Sequence, residues 1–166
     1  MAAPPAAFFG SKPAAAESGI YAITATDIDG RPVPMSKFKG KALLIVNSAS
    51  ACGFTPQQAE LAALAKQFKG KVEVLLQPCN QFGGQDPGSN AQIKQFAAGN
   101  GVGVGGAGVM LAKADVNGGN ASPLFAYLKA QKGGLLTADV KWNFTKFLVS
   151  PSGEGKRESE GVWEER

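Results

Sequence analysis

The sequence predicts a layered α/β domain, and three features of the chain predict it. Two near-continuous apolar runs, ALLIVNSAS at 42–50 and VEVLLQP at 72–78, have strand length and are apolar on both faces. Segments of helical spacing with capping residues at their starts follow each run. Strands alternating with helices imply βαβ units and a sheet covered by helices. At 166 residues the chain suits one domain with a single core.

The elements are justified in order. Residues 1–17, rich in Ala and Pro and without periodicity, read as a flexible tail, since Pro4 and Pro5 break what would be a signal-peptide core. GIYAITATDIDGRPV, from Gly19, alternates around Asp29-Gly30 and predicts a hairpin. After the first buried strand and the loop Ala51-Cys52-Gly53-Phe54, a helix is expected with Thr55 as N-cap, Pro56 in its first turn and Gln58 completing a capping box. Ala59, Ala62, Leu64, Ala65 and Phe68 carry it on to a stop at Gly70. The second buried strand leads into the polar loop CNQFGGQDPGSN at 79–90. Ser89 and Gln92 then offer another capping box for a helix AQIKQFAA. Residues 99–108 hold six glycines in ten and predict loose order. A helix near Pro123–Gln131 and a strand NFTKFLV at 143–149 complete the pattern.

Composition narrows the chemistry. The chain has no histidine, which excludes Ser-His-Asp and Cys-His nucleophilic pairs and every His-containing zinc site. Two cysteines, Cys52 and Cys79, are too few for a disulfide framework or a four-cysteine metal site. No metal or cofactor is therefore expected. Residues 1–153 carry 14 basic and 8 acidic groups, while the last thirteen carry 3 and 5. That excess is too diffuse for a nucleic-acid footprint. No run nears the roughly 18 apolar residues of a membrane span. GVGVGG at 101–106 follows a helix rather than a strand, so it does not predict a nucleotide site.

Cys52 is the sharpest feature. It lies between a buried strand and a helix start, where unpaired amides and the helix dipole favour negative charge. Such a place lowers a thiol's pKa, and the thiolate is the nucleophile. The alternative reading of Cys52 is a buried structural cysteine.

Three passages together resemble the signature blocks of the glutathione peroxidases: NSASACGFT at 47–55, PCNQFGGQDPGSN at 78–90 and KWNFTKFLV at 141–149. The likeness is to the phospholipid-hydroperoxide type and its plant and algal relatives, in a cysteine form, and it runs from about Ser18 to Gly153. It implies a thioredoxin-like α/β/α sandwich with a central mixed sheet. It also implies that residues 18–153 form a peroxidase domain. The junction at Cys52 is similar to the thioredoxin active-site turn, with Thr55 where a second cysteine would stand.

The resemblance makes Cys52 the peroxidatic residue and Gln85, Trp142 and Asn143 its partners. All three are hydrogen-bond donors suited to a thiolate or a departing oxygen. Read singly, each has a plainer role: an exposed loop amide, a packing indole and a turn residue. In thioredoxin-dependent members a resolving cysteine lies in the helix after Asn90, but here that helix has Ala97 and Ala98. Cys79 is then a core residue or a substitute resolving thiol. The implied function is reduction of hydrogen peroxide and of organic or lipid hydroperoxides through a sulfenic acid, with glutathione or thioredoxin as reductant. The alternative is a non-catalytic redox sensor whose oxidised Cys52 is read by a partner protein. A third reading is an inactive relic.

The implied protein is a monomer that makes transient contact with membrane surfaces, to which Lys129, Lys132, Lys141 and Lys146 would contribute unless they form an ordinary solvated face. A cytoplasmic location is the default, with chloroplast or mitochondrion as alternatives. Residues 154–166, EGKRESEGVWEER, read as an atypical charged tail where the family has a further strand and a closing helix. The scaffold is expected to be incomplete there.

Overall fold

The two apolar runs become neighbouring parallel strands. A computed structural model describes residues 17–103, 105, 107–131, 139–153 and 155–158. The central strands are β3 (Ala42–Ser48) and β4 (Val72–Pro78), paired in parallel from Ala42↔Val72 to Ser48↔Pro78. Before them, β1 (Thr24–Thr26) and β2 (Pro32–Pro34) form the expected antiparallel hairpin. Strand β5 (Val109–Met110) adds in parallel to β4. On the other side β6 (Lys146–Val149) runs antiparallel to β3, and β7 (Gly155–Glu158) runs antiparallel to β6. The five-stranded order β5-β4-β3-β6-β7 is therefore a mixed sheet.

Side chains on successive residues of a strand point to opposite faces, and the core divides accordingly. Leu44, Val46, Val74 and Leu76 face one way, against Leu61, Ala62 and Ala65 of α1 (Gln57–Gln67) and Ile93 and Ala97 of α2 (Asn90–Gly99). Leu43, Ile45, Leu75, Phe147 and Val149 face the other way, against Leu124, Phe125 and Leu128 of α3 (Pro123–Ala130) and Val33 and Met35 from the hairpin side. Helices on both faces of a mixed sheet make the expected α/β/α sandwich.

Several local expectations are met. Ser89 and Gln92 form a reciprocal capping box on α2, and Ser122 caps α3 by accepting from Phe125 N–H. Gly108 (φ +82°) lies so close to β4 that a Cβ there would stand 3.0 Å from the Val74 carbonyl oxygen. At least one glycine of the 99–108 passage is thus required by close approach to a strand.

Other expectations need correction. Helix α1 begins at Gln57 after consecutive turns, and Thr55 does not cap it because its hydroxyl is engaged by the Cys52 loop. Phe68 follows the last helical residue and is exposed. The last strand starts at Lys146 rather than at 143, because Phe144 has φ +62° and the preceding residues turn. Residues 155–158, read as charged tail, pair as the edge strand β7. The lysines are not one solvated set. Lys146 is 1% exposed and donates to the Phe144 carbonyl at 2.8 Å, while Lys129 is bound to Asn117 and Asp139. Lys132 lies outside the described residues, as do residues 1–16 of the expected amino-terminal tail and most of the carboxyl-terminal one.

Candidate active site

Strand β3 ends at Ser48, and the chain must turn before α1. Thr55 closes that turn: its Oγ accepts from the Cys52 N–H at 3.0 Å and donates to the Ala49 carbonyl at 3.0 Å. The Gln58 side chain also donates to Ala49 O at 3.4 Å. These bonds satisfy groups that burial would otherwise leave unpaired and tie the loop to the end of β3. The Phe54 N–H points at the Cys52 sulfur, 3.4 Å away. Cys52 is 9% exposed and packs with Ala49 and Phe144, yet its chain neighbours Ala51 and Gly53 are exposed. The sulfur therefore sits at the rim of the core.

Gln85 and Asn143 come together although 58 residues separate them. The Asn143 Nδ2 donates to Gln85 Oε1 at 2.8 Å and is 3.5 Å from the Phe82 carbonyl. With its amide oxygen held by Asn143, Gln85 presents its NH₂ group as the free end of the amide. The Gln85 loop is joined to the Cys52 loop by a backbone bond, Ala51 N–H to Gln85 O, at 2.9 Å. Trp142 is 43% exposed, with its ring 6.1 Å from that of Phe82. Gly83 (φ +66°) lets the loop pass beneath both groups; a Cβ there would be 3.5 Å from Gln85 Cγ and 3.7 Å from the Trp142 ring.

Asn47 holds the third segment, and sequence reasoning missed it. Its Nδ2 donates to the Trp142 carbonyl at 3.0 Å and its own carbonyl accepts from Phe144 N–H at 2.7 Å. Thr145 Oγ donates to the same Trp142 carbonyl at 3.0 Å. The signal was an amide inside an otherwise apolar run, fully buried where a polar group needs partners.

Cys79 is elsewhere. It is fully buried in the core on the α3 face, its thiol 3.6 Å from Gln81 Oε1, and burial pushes its pKa up. The structure joins Asn143 to Gln85, ties the Gln85 loop to the Cys52 loop, sets the Trp142 ring beside Phe82 of the Gln85 loop, and leaves Cys79 across the sheet. Among the described residues no cluster of three or more Cys, Asp or Glu side chains suits a metal.

The profile of the family described as Glutathione peroxidase matches residues 20–129. That span takes in Cys52 and Gln85 and ends before Trp142. Among curated proteins, "Putative glutathione peroxidase 7, chloroplastic" of Arabidopsis thaliana is 48% identical over 143 residues, 85% of this chain and 60% of that protein. "Glutathione peroxidase-like peroxiredoxin GPX5" of Chlamydomonas reinhardtii is 47% identical over 135 residues, 81% of this chain and 82% of that protein. The chain belongs to the glutathione peroxidase family. Among solved structures, GPX1 of T. cruzi is 36% identical, covers 86% of each chain and superposes with a TM-score of 0.65. The glutathione peroxidase fold, a thioredoxin-like α/β sandwich, is thus the one this sequence adopts.

Proposed function

We propose that Cys52 is the peroxidatic nucleophile of this glutathione peroxidase family member, a thiol peroxidase, and that Gln85 and Trp142 are its donors. The thiolate attacks one oxygen of a hydroperoxide. An S–O bond forms, the O–O bond breaks, and the other oxygen leaves as water or an alcohol once it gains a proton; Cys52 ends as a sulfenic acid. With no histidine in the chain, amide and indole N–H groups must meet the developing charge. Asn143 contributes by holding the Gln85 amide in one orientation.

The observation that carries this reading is the Asn143–Gln85 bond together with the Ala51–Gln85 bond. These bonds assemble two distant segments beside the one cysteine at the rim of the core. Steady-state peroxide consumption with excess thiol tests it. The native protein should turn over many equivalents of peroxide per chain, and Cys52→Ser should reduce this to background. Undiminished turnover in Cys52→Ser would refute the reading.

The positions of the two thiols support an external reductant. With Cys79 on the far face, oxidised Cys52 is resolved by an incoming thiol: attack on the sulfenic acid releases water and leaves a mixed disulfide, and a second thiol frees Cys52. Glutathione can supply both thiols. Thioredoxin can supply both from its own pair. Hydrogen peroxide and organic or lipid hydroperoxides are the substrate class. Side-by-side assays with glutathione and a thioredoxin system distinguish the reductants.

A further inference from the structure

Asp86 follows Gln85 and is fully buried, yet the reaction as described makes no use of it. Its Oδ1 accepts two hydrogen bonds from Ser50, one from the backbone N–H at 3.2 Å and one from the hydroxyl. Ser50 stands two residues before Cys52. The Asp86 N–H donates to Asn80 Oδ1 at 2.8 Å, which ties the carboxylate's own backbone to the start of the same loop. Lys113 reaches in from after β5, its ammonium bonded to the carbonyls of Asp86 at 3.3 Å, Pro87 at 3.4 Å and Gly88 at 2.5 Å. The second carboxylate oxygen, Oδ2, is buried with no partner among the described residues.

A carboxyl group is costly to bury, and one oxygen here is left without a donor. Burial raises the Asp86 pKa, against the opposing pull of the Ser50 donors and Lys113. A side chain serving only as filler would be apolar. What the carboxyl supplies is a bridge: its two bonds to Ser50, with the neighbouring Ala51–Gln85 backbone bond, make three links between the Cys52 loop and the Gln85 loop.

We propose that Asp86 is a positioning residue for the Cys52 reaction: acting through Ser50, it fixes the loop that carries the sulfur against the loop that carries the Gln85 amide. The proposal rests on Cys52 being the peroxidatic residue. Small displacements of a donor from a reacting atom lower rates steeply, so loosening this bridge should slow attack on peroxide. Reduction of the oxidised sulfur by an incoming thiol, which needs no Gln85 donor, should be spared.

The test mixes reduced protein rapidly with hydrogen peroxide and measures the second-order rate of Cys52 oxidation. The rate at which glutathione reduces the oxidised protein is measured separately. Asp86→Ala, which removes both bonds, should slow oxidation by about tenfold; Ser50→Ala, which leaves the backbone N–H donor, should slow it by a smaller but measurable factor, and the double variant should be no slower than Asp86→Ala alone. Asp86→Asn keeps an oxygen that can accept from Ser50 and should restore most of the rate. Glutathione reduction should change by less than about twofold in all four.

Wild-type oxidation rates in both alanine variants would overturn the proposal. So would losses that multiply in the double variant, or an Asp86→Asn variant as slow as Asp86→Ala. If Asp86→Ala does not fold, Ser50→Ala, at the half-buried end of the bridge, decides the matter. A native protein that consumes no peroxide would refute the assignment of Cys52 instead.

Discussion

Cys52 and Cys79 stand on opposite faces of one sheet. Cys52 packs with the residues under α1 and α2, and Cys79 with those under α3. A disulfide needs Cα atoms within about 7 Å and side chains aimed at one another, and the strands between these two cores prevent that. Cys79→Ser should therefore keep most of the peroxide turnover supported by glutathione. It should cost about 1–3 kcal/mol in stability, because a hydroxyl replaces a thiol in an apolar site. Chemical denaturation and a peroxide assay on the same preparation check both halves. Loss of most of the turnover at unchanged stability would make Cys79 a resolving thiol after all. In the native protein an alkylating agent should label Cys52 and spare Cys79, whose pKa burial raises.

Asn143 should act through Gln85. Asn143→Ala removes the bond that holds the Gln85 carbonyl oxygen and frees the amide to rotate. Oxidation by peroxide should slow by roughly tenfold to a hundredfold. Asn143→Asp should not rescue the rate, since a carboxylate offers Gln85 Oε1 no donor. Stopped-flow oxidation of the reduced variants is the measurement.

Trp142→Phe keeps a ring against Phe82 and removes the indole N–H. The stability of the variant should change little, because Trp142 is nearly half exposed. Its oxidation rate should fall on the order of tenfold. An unchanged rate would remove Trp142 from the donor set.

Thr55→Val tests the loop itself. The isosteric change leaves the Cys52 N–H and the Ala49 carbonyl without Thr55, although Gln58 still reaches Ala49. Destabilisation of about 1–3 kcal/mol is expected in a denaturant titration, together with slower oxidation. Thr55→Ser, which retains the oxygen, should recover most of both.

Lys146 predicts a pH dependence. Burial lowers its pKa from the usual 10.5, with Glu60 opposing the shift. Between that lowered value and 10.5 the unfolded chain binds more protons than the folded one, so stability should rise with pH across this window. Below the window the burden of the buried charge is present in full. Lys146→Met keeps the apolar stem and removes the charge. Its melting temperature relative to the native protein should be most favourable near pH 7 and should lose that advantage as the pH climbs towards 10. A deficit of the same size at both ends would refute the assignment.

Much of the fold, and the residues of the candidate site, could be named before any coordinates. The two apolar runs, the Ser89 capping box and the Asp29-Gly30 hairpin are local signals, fixed by periodicity and by the conformational preferences of single residues. The three signature blocks gave Cys52, Gln85, Trp142 and Asn143 by resemblance. Which loop residues matter was not legible. Thr55 has the chemistry of a helix cap and the position for one, but the loop around Cys52 had more unpaired groups to satisfy and took its hydroxyl. Lys146 begins a short strand beside Val46, yet nothing local says that its side chain is buried there while Leu148 on the same face stays exposed.

The sequence by itself determined the order and kind of the main elements, the absence of histidine chemistry and the residue types available to a thiol site. Only the tertiary structure decided which of them meet. It turned Asn143 towards Gln85, set Asp86 under Ser50, placed Cys79 behind the sheet and paired residues 155–158 as an edge strand. The reason is range: propensity and periodicity act over a few residues, whereas a hydrogen bond across 58 residues, or the face of a strand on which a thiol falls, exists only once the whole chain has packed.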